Sequence, residues 1–123
     1  MPVIPVAEAV VHEMHGTTFA AYAAPSRGSA ELCTWRVAIP AETAGVPHTV
    51  TREEVLCVTS GSARVTLGDE TCDVAVGDVI VVPPGPRFRL STGEEAFAAW
   101  VTTSVGLRAS LPDGSTIAPP WSL

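Results

Sequence analysis

The stretch from Pro47 to Phe88, PHTVTREEVLCVTSGSARVTLGDETCDVAVGDVIVVPPGPRF, decides the fold. Its apolar runs are short, and a turn residue interrupts each of them. Glu54 to Thr59 reads as a strand that stops at Ser60-Gly61. Ala63 to Leu67 reads as the next, and Gly68-Asp69-Glu70 is a hairpin signal leading into Thr71 to Val76. Gly77-Asp78 ends that strand, and Val79 to Val82 is cut off by Pro83-Pro84-Gly85-Pro86. Val46 to Thr51 precedes this series as a short strand.

The same punctuation continues on both sides. Thr17 to Ala24, Leu32 to Ile39, Phe88 to Ser91, Ala96 to Thr103 and Val105 to Leu111 all read as strands between Gly, Pro or polar turns. Only Val6 to His15 has a pattern ambiguous enough for a helix. Many short strands with turn signals between them predict an all-β, antiparallel sandwich or barrel. They leave no Gly-rich turn opening a helix for a phosphate-binding loop.

Two spacings inside the deciding stretch carry more information. His48-Thr49-Val50 is followed by three residues, then Glu54, six residues and Gly61. Gly77 is followed by five residues, Pro83-Pro84-Gly85, two residues and Phe88. This pair of spacings resembles the two motifs of the cupin family, in small single-domain bacterial form within the RmlC-like jelly-roll superfamily. The resemblance covers roughly a third of the chain and implies one antiparallel cupin jelly-roll barrel spanning residues 1–123. It also implies a metal site, since metal-bearing cupins carry His-x-His and Glu in the first motif and His at the end of the second. Here His48 and Glu54 match, while Val50 and Phe88 replace the other two ligands. The glycine that opens the first motif is replaced as well, by Glu42. One imidazole and one carboxylate fall short of the three or four protein ligands that hold a transition metal tightly. The expectation is therefore a degenerate ligand motif, with no metal and no cofactor. His12 and His15, three residues apart, read as solvated surface groups, with completion of a metal site as the alternative.

Without a metal, His48 and Glu54 become candidates for catalysis as an interior acid–base pair, suited to isomerisation, dehydration or cyclisation. Some cupins, among them sugar epimerases and certain cyclases, do such work without metal. Val50, Phe88 and Trp100 are candidate apolar lining for a substrate. Arg36 is the remaining polar candidate for binding substrate. In the strand Leu32 to Ile39, Trp35, Val37 and Ile39 share one face and Thr34, Arg36 and Ala38 the other. Turned inward, Arg36 would clamp a substrate carboxylate or enolate. Turned outward, it is an ordinary solvated charge. The parity that puts Glu54 inside turns Glu53 and Cys57 outward, and Arg87 and Arg89 flank Phe88 on the opposite face.

Composition narrows the partners. Hydrophobic residues make up 46% and charged residues 16% of the 123, with a formal net charge of -6. That balance opposes phosphate-backbone binding and attachment to anionic membrane surfaces, so neither nucleic acid nor membrane is an expected partner. The start, Met1-Pro2-Val3-Ile4-Pro5, lacks a basic, then apolar, leader pattern. Cys33, Cys57 and Cys72 form no CxxC pair and read as reduced thiols in a cytoplasmic protein. The expected partners are a small-molecule substrate or ligand and a second copy of the chain. A homodimer would form through the N-terminal strands and the tail Pro119-Pro120-Trp121. The leading functional expectation is a metal-independent isomerase, lyase or cyclase. The alternatives are a non-catalytic sensor or carrier, and a metal-dependent oxygenase with an atypical ligand set.

Overall fold

The computed structural model describes residues 3–123; Met1 and Pro2, the first residues of the expected 1–123 domain, lie outside them. The strands are β1 (Val10–Met14), β2 (Thr17–Ala23), β3 (Leu32–Ile39), β4 (Thr49–Val50), β5 (Glu54–Ser60) and β6 (Ser62–Leu67). They continue as β7 (Glu70–Ala75), β8 (Val79–Val82), β9 (Phe88–Ser91), β10 (Phe97–Ser104), β11 (Ala109–Ser110) and β12 (Thr116–Ile117). Among the described residues the helical elements are three single 3-10 turns, at Val6–Glu8, Pro25–Arg27 and Pro120–Ser122.

A six-stranded sheet in the order β1-β2-β3-β10-β5-β8 forms one wall. Two three-stranded sheets, β7-β6-β9 and β12-β11-β4, complete the enclosure. Every ladder is antiparallel. This is an all-β jelly-roll barrel.

Residues opposite one another in a ladder share a face. One inner row of the large sheet runs Ala21, Trp35, Val101, Leu56, Ile80. The next inner row runs Cys33, Thr103, Glu54, Val82. All nine side chains are buried. The corresponding outer row is Val11, Ala20, Arg36, Trp100, Cys57, Val79. Once Trp35 is in the core, the two-residue period sends Arg36 out, and the register carries Trp100 out with it.

The N-terminal segment is not helical beyond its first turn. Val10 and Val11 are β-branched, and β1 pairs along its whole length with β2, which satisfies the backbone groups on one edge of this outermost strand. The connecting residues His15 and Gly16 both have positive φ, 53° and 78°. A two-residue loop of that kind is the primed turn that matches the twist of a hairpin. The expected strand over Val46 to Thr51 shrinks to Thr49–Val50, because His48 bridges to Phe88 instead. Val105 to Leu111 shrinks to Ala109–Ser110, and β12 has no counterpart in the sequence reading.

Both ends of the first spacing motif have a backbone explanation. Glu42, at the position of the motif's missing glycine, has φ 55°, and its N–H donates to the Gly93 carbonyl at 2.7 Å. Glu42 thus holds a left-handed conformation that glycine adopts more easily. Gly61 has φ 69°, and a Cβ there would lie 1.7 Å from the Ala96 carbonyl oxygen. Gly61→Ala is therefore expected to cost about 1–3 kcal/mol through strain and collision. Urea denaturation with an unchanged m-value measures this, and a loss under 0.5 kcal/mol would contradict the close approach.

Candidate functional site

A cavity of about 170 Å³ opens between the large sheet and the two smaller ones. Its lining includes His48, Val50, Glu54 and Phe88, so the four motif positions converge on one space. Arg36 and Trp100 do not reach it. They stand on the outer face of the large sheet, where Trp100 packs edge-on to Tyr22 with ring centroids 4.9 Å apart. The placement of both as substrate-binding residues is corrected by the register described above.

Glu54 opens β5 on the inner face and is only 6% exposed. Its cross-strand neighbour Thr103 donates its hydroxyl to the Glu53 carbonyl at 2.7 Å. Among the described residues no side chain pairs with the Glu54 carboxyl; the one ion pair is Arg64–Asp73, on the surface. Burial alone pushes the Glu54 carboxyl up from 4.5 to about 7. Near neutral pH it is thus divided between acid and carboxylate, the condition in which a group both gives and takes protons.

His48 is fixed from two sides. Its backbone N–H donates to the Phe88 carbonyl at 2.9 Å and its carbonyl accepts from Phe88 N–H at 2.7 Å. Its ring Nδ1 lies 2.9 Å from the Val46 carbonyl oxygen. A carbonyl can only accept, so Nδ1 carries the hydrogen there. In the neutral ring this leaves Nε2 as the basic atom, without a protein partner among the described residues. The Phe88 ring meets the imidazole edge to face, centroids 5.5 Å apart at 79°. A hydrocarbon surface orients the imidazole at the position where the motif has a second-motif His. His48 and Glu54 line the same space without an ion pair between them.

These residues do not fit a resident transition metal. At the four motif positions the donors are one imidazole and one carboxylate, and Val50 and Phe88 offer only carbon; His15 also lines the cavity but is not grouped with them. Among the described residues no three of His, Cys, Asp or Glu are grouped to hold an ion. His12 lies against the Trp121 indole, 6.3 Å between centroids, and His15 sits at the β1–β2 turn on the cavity lining.

Sequence reasoning missed the aromatic wall. Trp121 is buried, stacks on Phe19 with centroids 3.6 Å apart, and meets Trp35 at 6.4 Å; all three line the cavity. The tail is tied down by Ser26, which donates to the Leu123 carbonyl, and by the Cys33 thiol, 3.4 Å from the Ser122 carbonyl. The Trp121 indole is therefore committed to its own barrel, while Pro120 beside it stays exposed. Two prolines precede Trp121 in the sequence, but they do not say which core the ring enters.

A family model described as "Cupin domain" matches residues 35–103, more than half of the chain. A polyketide cyclase from Streptomyces resistomycificus is similar in structure, with a TM-score of 0.76 at 19% identity, covering 85% of this chain and 79% of that one. A salicylate 1,2-dioxygenase from Pseudaminobacter salicylatoxidans gives a TM-score of 0.71 at 19% identity over 81% of this chain and 31% of the dioxygenase. An RmlC-like protein from Shewanella frigidimarina gives 0.69 at 16% identity over 80% and 85% of the two chains. A comparison with curated protein sequences gave no match.

Proposed function

Because the chain belongs to the cupin domain family, we propose that it binds a small molecule inside its barrel and acts on it without a metal, as an isomerase, lyase or cyclase. The observation that carries this reading is the unpartnered Glu54 carboxyl, held near neutral in an apolar cavity that it shares with the free Nε2 of His48. Among the described residues no fully buried side-chain oxygen or nitrogen lacks a partner, so the unpaired Glu54 carboxyl is open to the cavity, where a ligand group can meet it.

The chemistry open to this pair is proton transfer. Glu54 as carboxylate removes a proton from carbon next to a carbonyl, or as acid delivers one to the carbonyl oxygen. His48 takes or returns the second proton through Nε2. The sequence has no lysine, so no ε-amine is available for an imine with a carbonyl substrate. The polyketide cyclase among the structural neighbours supports the cyclase branch by analogy of fold alone. A metal-dependent oxygenase is the less supported alternative, since among the described residues no three donor side chains are grouped to hold an ion.

The test begins with a thermal-shift screen of carbonyl compounds, followed by turnover of the hits in deuterated water. Incorporation of deuterium next to the carbonyl is expected. His48→Asn should lower that exchange by about 10²-fold or more while leaving the melting temperature within a few degrees. Exchange that persists in the variant at the parent rate would remove His48 from the chemistry.

A further inference from the structure

The cavity's inventory of polar groups is short. Its lining holds no arginine, and the sequence has no lysine. Arg36, the one cation considered for the interior, belongs to the outer face. The polar side chains that remain in the lining are Thr17, Thr43, His15, His48 and Glu54. A phosphate or carboxylate would enter an apolar space with no arginine or lysine to pair it, beside a carboxyl group that is itself partly ionised. A sugar would bring more hydroxyls than these five side chains can satisfy. The aromatic wall of Trp35, Phe19 and Trp121 is matched instead to a ring. The cavity, at about 170 Å³, is close to the ~150 Å³ space that accommodates benzene in an apolar core.

We infer that the natural ligand is an uncharged compound of one or two fused rings bearing a hydroxyl or carbonyl group, its ring against the Trp35–Phe19–Trp121 wall and its oxygen toward His48 and Glu54. This substrate class rests on the acid–base reading only for the direction of the oxygen; size, charge and ring character come from the lining itself. The same lining disfavours nucleotide sugars, phosphate esters and carboxylic acids.

Binding is tested on the full chain with 2-naphthol, naphthalene-2-carboxylate and glucose, by titration of tryptophan fluorescence and by thermal shift at neutral pH. The expected result is saturable binding of 2-naphthol, at least tenfold weaker binding of the carboxylate, and none of glucose. Val50→Phe fills the cavity and should weaken 2-naphthol binding at least tenfold. Leu90→Phe, also on the lining, does the same if the first variant fails to fold. Arg36→Ala should change nothing. Equal or tighter binding of the carboxylate or glucose would overturn the proposal. So would absence of 2-naphthol binding, or binding indifferent to a filled cavity. None of these readouts involves turnover. A ligand class that fails here leaves the acid–base pair standing, and loss of exchange in His48→Asn tests that pair independently.

Discussion

Glu54→Gln is expected to lower turnover by about 10²–10⁴-fold, the usual scale for a general acid or base, while making the folded chain more stable above neutral pH. The two effects share a cause. Burial lifts the Glu54 carboxyl from 4.5 to about 7, so between those values the folded chain holds a proton that the unfolded chain has released. Stability associated with this group is complete below about 4.5, declines as pH rises toward about 7, and stays low beyond it. The full decline is about 3 kcal/mol. Glutamine fills nearly the same volume and carries no charge to desolvate. The variant should therefore match the parent near pH 4.5 and exceed it increasingly up to pH 8. Urea denaturation of both chains at several pH values measures the difference. Parallel profiles would mean that the carboxyl is solvated or paired in solution, and the catalytic reading would lose its basis. A variant that unfolds much more easily than the parent at every pH would make Glu54 a structural residue.

Trp121→Ala should be the most damaging single change to stability, costing about 3–5 kcal/mol. The indole is 6% exposed, stacked on Phe19 and wedged against Trp35, and its removal leaves a void continuous with the cavity. The surrounding strands are held in register by their ladders and cannot collapse to fill it. Trp121→Phe keeps part of the stack and should cost less than half as much. Chemical denaturation with a constant m-value decides the matter; a loss below 1 kcal/mol for the alanine variant would show that the tail does not occupy the barrel in solution.

The strands were legible wherever turn residues bracket a short apolar run. β3, β8 and β9 occupy the very residues that Pro, Gly and polar neighbours delimit. The motif spacing located His48, Val50, Glu54 and Phe88 on one cavity because a fixed number of residues between strands fixes which side chains meet. The face of β3 was less legible, since alternation gives two faces and not their direction. The stronger apolar content of Cys33, Trp35, Val37 and Ile39 was the available signal that Arg36 lies outside. The His15-Gly16 turn was visible only as a Gly after a residue able to adopt positive φ. Trp121 had no local signature, because its partners Phe19 and Trp35 lie 102 and 86 residues earlier in the chain. The Nδ1 hydrogen bond that orients His48 depends on loop geometry that spacing does not encode.

The strand order β1-β2-β3-β10-β5-β8 carries a consequence for synthesis on the ribosome. The two halves of the large sheet, β1-β2-β3 and β5-β8, are joined only by β10, which is made after both. Until residues 97–104 emerge, β3 and β5 present bare hydrogen-bonding edges side by side with half-formed apolar faces. Such a nascent chain is a target for chaperones and for pairing with its neighbours on a polysome. Any stall or truncation before Phe97 would leave a sheet in two pieces, and the aromatic wall would still lack Trp121. The insertion of β10 is thus a late and non-local event, of the kind that makes β proteins slow to fold.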